Sequence, residues 1–439
     1  MPIPHDHARE ITRRLSRGQD IEKLNARLAP TSAEDRPIPP PVPASRQWDA
    51  DAVRQRRAFL AAMGHELASL SGAEPDPDPE SLRGNIENYI GMTRIPTGLI
   101  GPLRVNGLHA SGDFYVPLAT SEGALVASYD RGARIITQAG GASCLVTAEK
   151  VQRAPGFAFT RLVEAVRFAA WIAGEFERLR DVAARHTRHG RLLDLRVHIQ
   201  ANNVYVIFDY HTGDAGGQNM VTFCTAAVCE EILRVTPVTP QYWFLEANMS
   251  GDKKATSQSF RETRGRNVTA EVVLPRELVE ARLHTTPERI ADYWRMSFVG
   301  GVESGSIGVS GHVANAIAAV FLACGQDVAC VSEASVGVTR METTADGSLY
   351  AAVTLPNLII GSVGGGTRLP TARECLAILD CVGDDRAARL AEITAAAALG
   401  GELSIVGALC AGDFARAHQL LGRVAPPSDA ADSSMPPAG

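Results

Sequence analysis

The middle of the chain shows two patterns of apolar and polar positions. Residues 162–185 carry apolar side chains at helical spacing, which predicts one long amphipathic helix. A further helix is predicted at 220–233. Short apolar runs that predict strands lie at 144–150, 195–200, 204–210 and 242–247.

The order of these elements predicts the fold of the region. The two central strands are joined across Asn202 and Asn203, which is consistent with a tight hairpin. Strand, helix, strand, strand, helix, strand is the split βαβ order of a ferredoxin-like unit. We therefore predict an α+β protein in which a small ferredoxin-like domain is inserted into a large mixed α/β domain.

The flanking sequence predicts the remaining domains. A proline-rich linker, PIPPPVPASRQ, precedes a helix at 49–70. A capping box is predicted at 370–374 and another helix at 402–421. The predicted division is a helical N-terminal region at 1–82, the large domain at 83–156 and 246–424, the inserted domain at 157–245 and a disordered tail at 425–439.

Composition and charge narrow the class of protein. The 439 residues are enough for two or three domains, and the net charge of -6 gives no reason to expect nucleic-acid binding. The eight cysteines are scattered without a C-x-x-C pair, so we expect buried thiols in a reducing cytoplasm and no metal site. No apolar run predicts a membrane span, and the N-terminus lacks the apolar core of a secretory signal.

Two glycine-rich segments are candidates for ligand binding. The first, at 211–220, follows a predicted strand and opens a predicted helix, so its N–H groups would suit a pyrophosphate. The second, at 360–367, holds three consecutive glycines that allow close approach of a ligand or of another backbone. On spacing alone, an ordinary strand-to-helix turn is favoured for the first segment, and a packing turn is slightly favoured for the second.

Four titratable residues stand out, and each also has an ordinary structural explanation. Glu122 precedes an apolar helix start, where a carboxylate is favoured by the helix dipole. Lys253 lies in a pair of lysines that follows the return to the large domain, where clefts commonly form. Asp327 follows the C-terminal end of an apolar helix, where the helix dipole is unfavourable for a carboxylate, so we expect a cationic partner. His418 lies near the end of the last predicted helix, where the dipole favours a histidine.

Seven stretches of sequence carry a resemblance to a known family. They are ENYIGMTRIPTGLIGPL, PLATSEGALVAS, GDAGGQNM, SGDKKAT, GHVANAIAAVFLACGQD, IIGSVGGGTRLP and ELSIVGALCAGDFARAH. In this order, from about residue 87 to 423, they resemble the 3-hydroxy-3-methylglutaryl-CoA reductases. The GSVGGGT stretch and the C-terminal helix with its histidine look closer to the class I enzymes than to class II. The resemblance implies NADPH-dependent reduction of this thioester to mevalonate, and without a membrane anchor we expect a free-standing catalytic portion.

The resemblance also implies a role for each of the four titratable residues. Glu122 would be the proton donor, Lys253 the cation that stabilises the developing oxyanion and Asp327 the carboxylate that tunes both. His418 would protonate the departing CoA thiolate, a task that suits an imidazole near neutral pH.

Binding residues follow from the same resemblance. Residues that match the nicotinamide-nucleotide loop are Asp214, Gly216, Gly217, Gln218, Asn219 and Met220. Residues that match a second dinucleotide contact are Val363, Gly364, Gly365 and Gly366. Thr187 and Arg188 match the pair at the adenosine phosphate, which favours NADPH over NADH. Asp252, Lys254 and Asn315 match positions around the acyl group.

Some substrate positions depart from the family pattern. The arginine expected near 158 is missing, and Arg161 is the nearest substitute; a family lysine aligns with Met296, beside Arg295. The usual serine ahead of the two lysines is Glu246. Two alternatives therefore stay open: a reductase of the same fold that acts on another acyl-CoA, and a catalytically silent protein that binds CoA or a dinucleotide. The resemblance further implies a homodimer or tetramer with the active site at the subunit interface.

Overall fold

The computed structural model describes residues 21–412. The candidate His418 and the predicted tail at 425–439 lie outside these residues. The helices within them are α1 (Ile21–Leu28), α2 (Ala50–Ala62), α3 (Leu125–Gln138), α4 (Leu162–Gly174), α5 (Phe176–Ala184), α6 (Gln218–Val235), α7 (Arg276–Leu283), α8 (Pro287–Glu303), α9 (Val313–Ala323), α10 (Val331–Ala334), α11 (Pro370–Ile378) and α12 (Ala387–Ala411). The strands are β1 (Thr97–Gly107), β2 (Ser111–Ala119), β3 (Ala142–Arg153), β4 (Gly156–Ala158), β5 (Arg191–Gln200), β6 (Asn203–His211), β7 (Tyr242–Phe244), β8 (Gly265–Leu274), β9 (Val338–Thr343) and β10 (Leu349–Leu358).

The large sheet is mixed. β1 and β2 form an antiparallel pair, and β1 runs parallel to β3. From β3 the sheet continues antiparallel through β8 and β10 to β9. The sheet packs on α12, whose apolar, alanine-rich surface is buried almost along its whole length. Gly132 on α3 lets that helix cross α12 closely, because a Cβ there would lie 1.9 Å from the carbonyl oxygen of Gly400.

Helix α12 is also, among the described residues, the one helix long and apolar enough to cross a membrane by length and composition. In this protein 89% of its most apolar window is buried inside the fold. It therefore serves here as the central core helix of the large domain.

The small sheet has the predicted ferredoxin-like topology, but its first strand is β4; the strand predicted at 144–150 is part of β3, which pairs with β1 and β8 in the large sheet. Its strands lie in the order β7, β4, β6, β5, all paired antiparallel, and α4, α5 and α6 connect them. The end of β3 also pairs with β6, so the two sheets are joined through one strand. The predicted α+β fold class with an inserted ferredoxin-like unit is confirmed, while the boundaries drawn at 157–245 stay a prediction.

Four local predictions were wrong. The helix expected at 162–185 is two helices that meet at Glu175, directly after Gly174, a residue of low helix propensity. The helix expected at 49–70 ends at Ala62. The helix expected to begin at 402 belongs to α12, which begins at Ala387 and ends at Ala411, and residues 413–421 of that prediction lie outside the described residues. The capping box at 370–374 does not form, because Pro370 is the first residue of α11. Glu374 instead accepts hydrogen bonds from the backbone of Ser69 and Leu70, at 2.7 and 2.8 Å.

The proline-rich segment is packed against the large domain and does not act as a free linker. The buried guanidinium of Arg104 donates to the carbonyl oxygens of Arg36 and Pro37, each at 2.9 Å, and pairs with Asp113 at 2.8 Å. The Tyr115 hydroxyl donates to the Pro40 carbonyl at 2.6 Å. We call residues 31–48 the N-terminal strap. The composition of this segment predicted a stiff linker, because composition does not show its hydrogen bonds to β1 and β2.

Candidate active site

Lys253 and Asp327 form the centre of the site. The Nζ atom of Lys253 lies 2.9 Å from Oδ2 of Asp327, and the two side chains are 43% and 44% exposed. The hydrogen bond to Asp327 raises the pKa of Lys253 above its usual value, against a smaller opposing effect of burial. Lys253 therefore presents a fixed ammonium group at an accessible position, which is what a developing oxyanion needs.

A buried layer of charged groups lies behind this centre. Arg264 bonds Asp252 at 2.5 Å, Glu333 at 2.7 Å and the side-chain oxygen of Gln218 at 2.7 Å. Arg153 reaches the other oxygen of Asp252 at 3.1 Å. Burial pushes the pKa of Asp252 upward, but the two arginines outweigh it and hold that pKa below its usual value. Asp252 is thus an ionised anchor for the segment that carries Lys253.

The two glycine-rich segments lie against each other. The carbonyl oxygen of Asp214 accepts from the Ser362 N–H at 2.9 Å, and Ala215 forms a parallel bridge with Val363. A Cβ at Gly361 would lie 2.7 Å from the backbone nitrogen of Gly216. The packing explanation is therefore correct for this part of both segments.

Other parts of the same loops face open space. A Cβ built on Gly216, Gly364 or Gly365 would meet nothing within 4 Å. The Gln326 side chain, next to Asp327, both donates to and accepts from the backbone of Gly361, at 2.9 and 2.8 Å. The exposed glycine backbone is thereby held beside the Lys253 centre, where it can accommodate an elongated ligand.

Several predicted cofactor residues already have partners within the protein. The Asp214 carboxylate accepts from the N–H groups of Asp385 and Ala387, at 2.8 and 3.0 Å, at the start of α12. Gln218 joins the buried layer through Arg264 and donates to the Cys330 sulfur at 3.5 Å. These two side chains fix the loop to the large domain. Asn219 is exposed at the start of α6.

Thr187 and Arg188, the residues predicted to favour NADPH over NADH, lie in the turn after α5. The Thr187 hydroxyl accepts from the Gly190 N–H at 2.8 Å, which orders the turn after α5. Arg188 in that turn is exposed. The terminal methyl group of Met220 would lie 2.6 Å from a Cβ on Gly190, so this turn packs on the first residues of α6.

Glu122 belongs to a second centre. Its Oε1 atom accepts from the Asn315 side chain at 3.3 Å, at the start of α9. The wholly buried carboxylate of Glu402 holds this helix start by accepting from the N–H groups of Gly311 and His312, each at 2.6 Å. Burial raises the pKa of Glu402, while His312 and these N–H groups oppose the effect.

A cavity of about 660 Å³ opens beside Glu122. One wall is the end of the N-terminal strap with Arg46 and Trp48, and Arg56 and Arg57 of α2 continue it. Three arginines around a partly apolar cavity would suit a ligand that combines phosphates with an apolar arm.

The two centres lie at opposite ends of α9. Asn315, which touches Glu122, is in the first turn, whereas Asp327 follows the last residue, Ala323. At 1.5 Å per residue this places roughly 12 Å of helix between the two centres. Within one chain, the Glu122 centre and the Lys253–Asp327 pair are therefore two separate groups of residues.

The structure does not bring all predicted substrate residues to these centres. Arg161 is exposed at the start of α4, and Arg295 pairs with Asp292 on the exposed side of α8. Lys254 is exposed beside Lys253, and its ammonium donates to the backbone oxygen of Asp252 at 2.8 Å.

Sequence reasoning missed the buried layer. Arg153, Arg264 and Glu333 were not singled out as functional residues. One signal was present: Arg264 stands directly before the alternating strand β8, at a position that proves to be buried. A charged residue inside such an apolar pattern requires a partner.

Comparison with known proteins gives consistent results. A model of the family described as hydroxymethylglutaryl-coenzyme A reductase matches residues 52–423. The chain is 43% identical over 377 residues to the 3-hydroxy-3-methylglutaryl-coenzyme A reductase of Pyrococcus abyssi, covering 84% of this chain and 92% of that protein. It is 46% identical over 376 residues to the protein of the same name from Methanothermobacter thermautotrophicus, covering 85% and 94%.

Solved structures agree at the level of the fold. The class II 3-hydroxy-3-methylglutaryl-CoA reductase from Streptococcus pneumoniae, solved bound to NADPH in open conformations, superposes with a TM-score of 0.66. Sequence identity is 19%, and the match covers 81% of this chain and 96% of that one.

Proposed function

The chain belongs to the hydroxymethylglutaryl-coenzyme A reductase family, and from this premise we propose that it uses NADPH to reduce 3-hydroxy-3-methylglutaryl-CoA to mevalonate and free CoA. The observation that carries the proposal is the Lys253–Asp327 pair, which lies beside the open backbone of two glycine-rich loops. We further propose a soluble, cytoplasmic enzyme, in agreement with the burial of α12.

The described residues fit the dinucleotide. The open backbone at Gly216, Gly364 and Gly365 leaves room for its phosphates, and the exposed guanidinium of Arg188 suits the adenosine phosphate that distinguishes NADPH. When bound, the nicotinamide supplies one hydride in each of the two reductions.

Four side chains of this protein stabilise charge or donate protons during the reaction. Lys253 donates a hydrogen bond to the carbonyl oxygen of the thioester and stabilises the negative charge that develops there. Asp327 holds that ammonium in place. Glu122 donates the proton to the oxygen, and His418 protonates the sulfur of the leaving CoA, so that the thiolate does not return to the aldehyde.

The acyl group and CoA have candidate partners. Lys254 is an exposed cation next to Lys253, and Asn315 and Asp252 offer polar groups at the two centres. The cavity beside Glu122 has the volume and the arginines, Arg46 and Arg57 among them, for the phosphates and apolar arm of CoA.

We propose that two copies of the chain build each active site, as a homodimer or within a tetramer. This is required if Glu122 and Lys253 act on one oxygen, because α9 separates them in a single chain. A twofold interface would bring the Glu122 centre of one copy to the Lys253 centre of the other, twice per dimer.

A second candidate function is reduction of a different acyl-CoA. Glu246, where the family has a serine, lies 3.3 Å from the Arg153 guanidinium and so neutralises a cation near the acyl site. An acyl group without the distal carboxylate would meet less repulsion there.

The test follows NADPH absorbance with purified protein and 3-hydroxy-3-methylglutaryl-CoA, with NADH in parallel. We expect two equivalents of NADPH consumed per CoA released, with mevalonate as product, and no turnover by Lys253→Ala. Turnover only with another thioester in a panel would support the second candidate. Failure with every thioester would contradict both and leave a silent binding protein.

A further inference from the structure

Lys253 has an unusual backbone conformation. Its φ angle is +57°, in the left-handed region that residues with a side chain seldom occupy. Such conformations persist only where surrounding interactions impose them, and they concentrate at functional sites. Something in the fold must therefore hold the Lys253 backbone in place.

The group that holds it is the carboxylate of Glu333. The Lys253 N–H donates to Oε1 of Glu333 at 3.2 Å, and the Glu333 side chain is wholly buried. The other carboxylate oxygen accepts from Nε of Arg264 at 2.7 Å. Arg264 is itself 2% exposed and bonded to Asp252 and Gln218, so Glu333 has no freedom to move away.

Burial and several neighbouring groups act on the Glu333 carboxylate in opposite directions. Burial raises the pKa of Glu333, and Asp252 adds to this, whereas Arg264 and the Lys253 N–H oppose the increase. The Cys330 thiol lies on the same side, and burial raises its pKa, so it stays neutral. The Lys253 ammonium in turn faces Asp327, Asp252 and Cys330.

We propose that Glu333 is a positioning residue for the reaction, holding Lys253 in its left-handed conformation so that the ammonium is directed at Asp327 and the substrate oxygen. Glu333 is buried behind the site and acts only through Lys253. The inference rests on the proposed function for the identity of the reaction. The geometry of the Lys253 ammonium, however, can be measured without substrate.

The first test compares two substitutions with a matched control. Glu333→Gln keeps an oxygen that can accept from the Lys253 N–H, whereas Glu333→Ala removes it. Glu392→Ala is the control, because Glu392 is also wholly buried and accepts backbone N–H groups, but those of His109 and Ala110 in the turn between β1 and β2 and not that of Lys253. A small displacement of a reacting group costs about 100-fold in rate, so we expect a loss of that order in kcat for Glu333→Ala. Glu333→Gln should recover most of that loss, and Glu392→Ala should lower Tm with little change in kcat.

The second test measures the titration of the Lys253 ammonium group directly. Competitive acetylation with acetic anhydride across a pH series, followed by mass spectrometry, gives the titration of Lys253 with Lys254 as internal reference. In Glu333→Ala the Lys253 titration should move to lower pH, because the ammonium no longer sits on Asp327, while Lys254 should not change.

The outcomes distinguish the positioning role of Glu333 from the proposed reduction of 3-hydroxy-3-methylglutaryl-CoA. An unchanged Lys253 titration together with a kcat loss no larger than that of Glu392→Ala would overturn the positioning role. A shifted titration in a protein that does not reduce 3-hydroxy-3-methylglutaryl-CoA would support the positioning role and contradict the proposed reaction.

Discussion

Lys253 and Asp327 face each other across 2.9 Å at a position where both remain open to solvent. The pair raises the pKa of Lys253 because Asp327 accepts its hydrogen bond and stabilises the charged form. The ammonium form therefore predominates at every pH below the usual lysine value and is lost only as the pH rises through the raised pKa. Activity that depends on this ammonium should persist into the alkaline range.

Asp327→Asn tests this relationship. Asp327 makes the largest contribution to the raised pKa of Lys253, and burial opposes what Asp252 and Cys330 still contribute. Without this carboxylate the pKa should fall, so the alkaline limb of kcat should move to lower pH. We also expect kcat at neutral pH to fall by about 100-fold, the scale for removal of one stabilising group at an oxyanion. A pH profile of kcat measures both. An alkaline limb unchanged in Asp327→Asn would show that another group carries it.

The predicted cofactor residues are of two kinds: exposed residues that can contact the dinucleotide, and residues whose side chains bond to the protein itself. Substitutions should have different effects on the two kinds. Arg188→Gln removes an exposed guanidinium, so KM for NADPH should rise at least about tenfold, which corresponds to one lost charge-assisted hydrogen bond, while KM for NADH stays the same. Asp214→Ala removes the acceptor for two N–H groups at the start of α12. It should lower stability by about 1 kcal/mol, as loss of a helix N-terminal acceptor does, measured by urea unfolding. Equal loss of NADPH and NADH affinity in Arg188→Gln would contradict its selective role.

The sequence predicted the topology well because topology depends on local patterns. Alternation in β5 and β6 and the helical period of α6 are visible in the chain, and together they define the ferredoxin-like order. The motifs likewise predicted that Lys253 and Asp327 would meet. Glu333 could not be predicted, because its importance arises from a hydrogen bond to a residue 80 positions away.

The N-terminal strap shows the same limit. Its prolines predict a stiff linker, but nothing local shows the turns at 33–35 and 43–46, or that Arg104 on β1 donates to its carbonyl oxygens. The substitute arginines Arg161 and Arg295 show a related limit. Arg161 and Arg295 are close in sequence to the expected positions, but the elements that carry them turn these side chains to solvent, whereas Arg153 is buried beside Asp252.

Glu246→Ser tests the charge balance of the acyl site. One Glu246 oxygen lies near Arg153 and the Ala154 N–H, and its other oxygen is buried without a hydrogen-bond partner within residues 21–412. Removing this carboxylate leaves Arg153 more positive, so KM for 3-hydroxy-3-methylglutaryl-CoA should fall about two- to fivefold, which corresponds to a weak ion pair of up to about 1 kcal/mol. Glu246→Gln should act in the same direction. A rise in KM for both variants would mean that Glu246 supports the acyl site.

His418→Gln tests the role of the C-terminal histidine. If His418 protonates the CoA sulfur, the variant should lose reduction of the thioester by about 100-fold or more, the usual scale for a general acid. Reduction of free mevaldehyde should be spared, since no thiolate leaves in that step. The two activities are compared in the same NADPH assay. Loss of both activities to the same extent would count against the assigned role.

The separation of Glu122 from Lys253 along α9 gives the sharpest test of the shared site. Glu122→Ala and Lys253→Ala should each be inactive as a pure protein. If each site takes Glu122 from one copy and Lys253 from the other, a mixed dimer has one site with both substitutions and one site with neither. Random reassortment of equal amounts makes half of the dimers mixed, so activity should return to about a quarter of the wild-type value.

The control for this experiment combines both substitutions in one chain. Mixing that double variant with wild-type protein gives mixed dimers in which each site carries one substitution, so these hybrids should be inactive. Subunits are exchanged by dilution from mild urea, and mixing without exchange gives the baseline. If α9 did not separate the two centres functionally, each chain would contain its own complete site. The single variants would then show no recovery on mixing, and the wild-type subunits of the control hybrids would keep their activity.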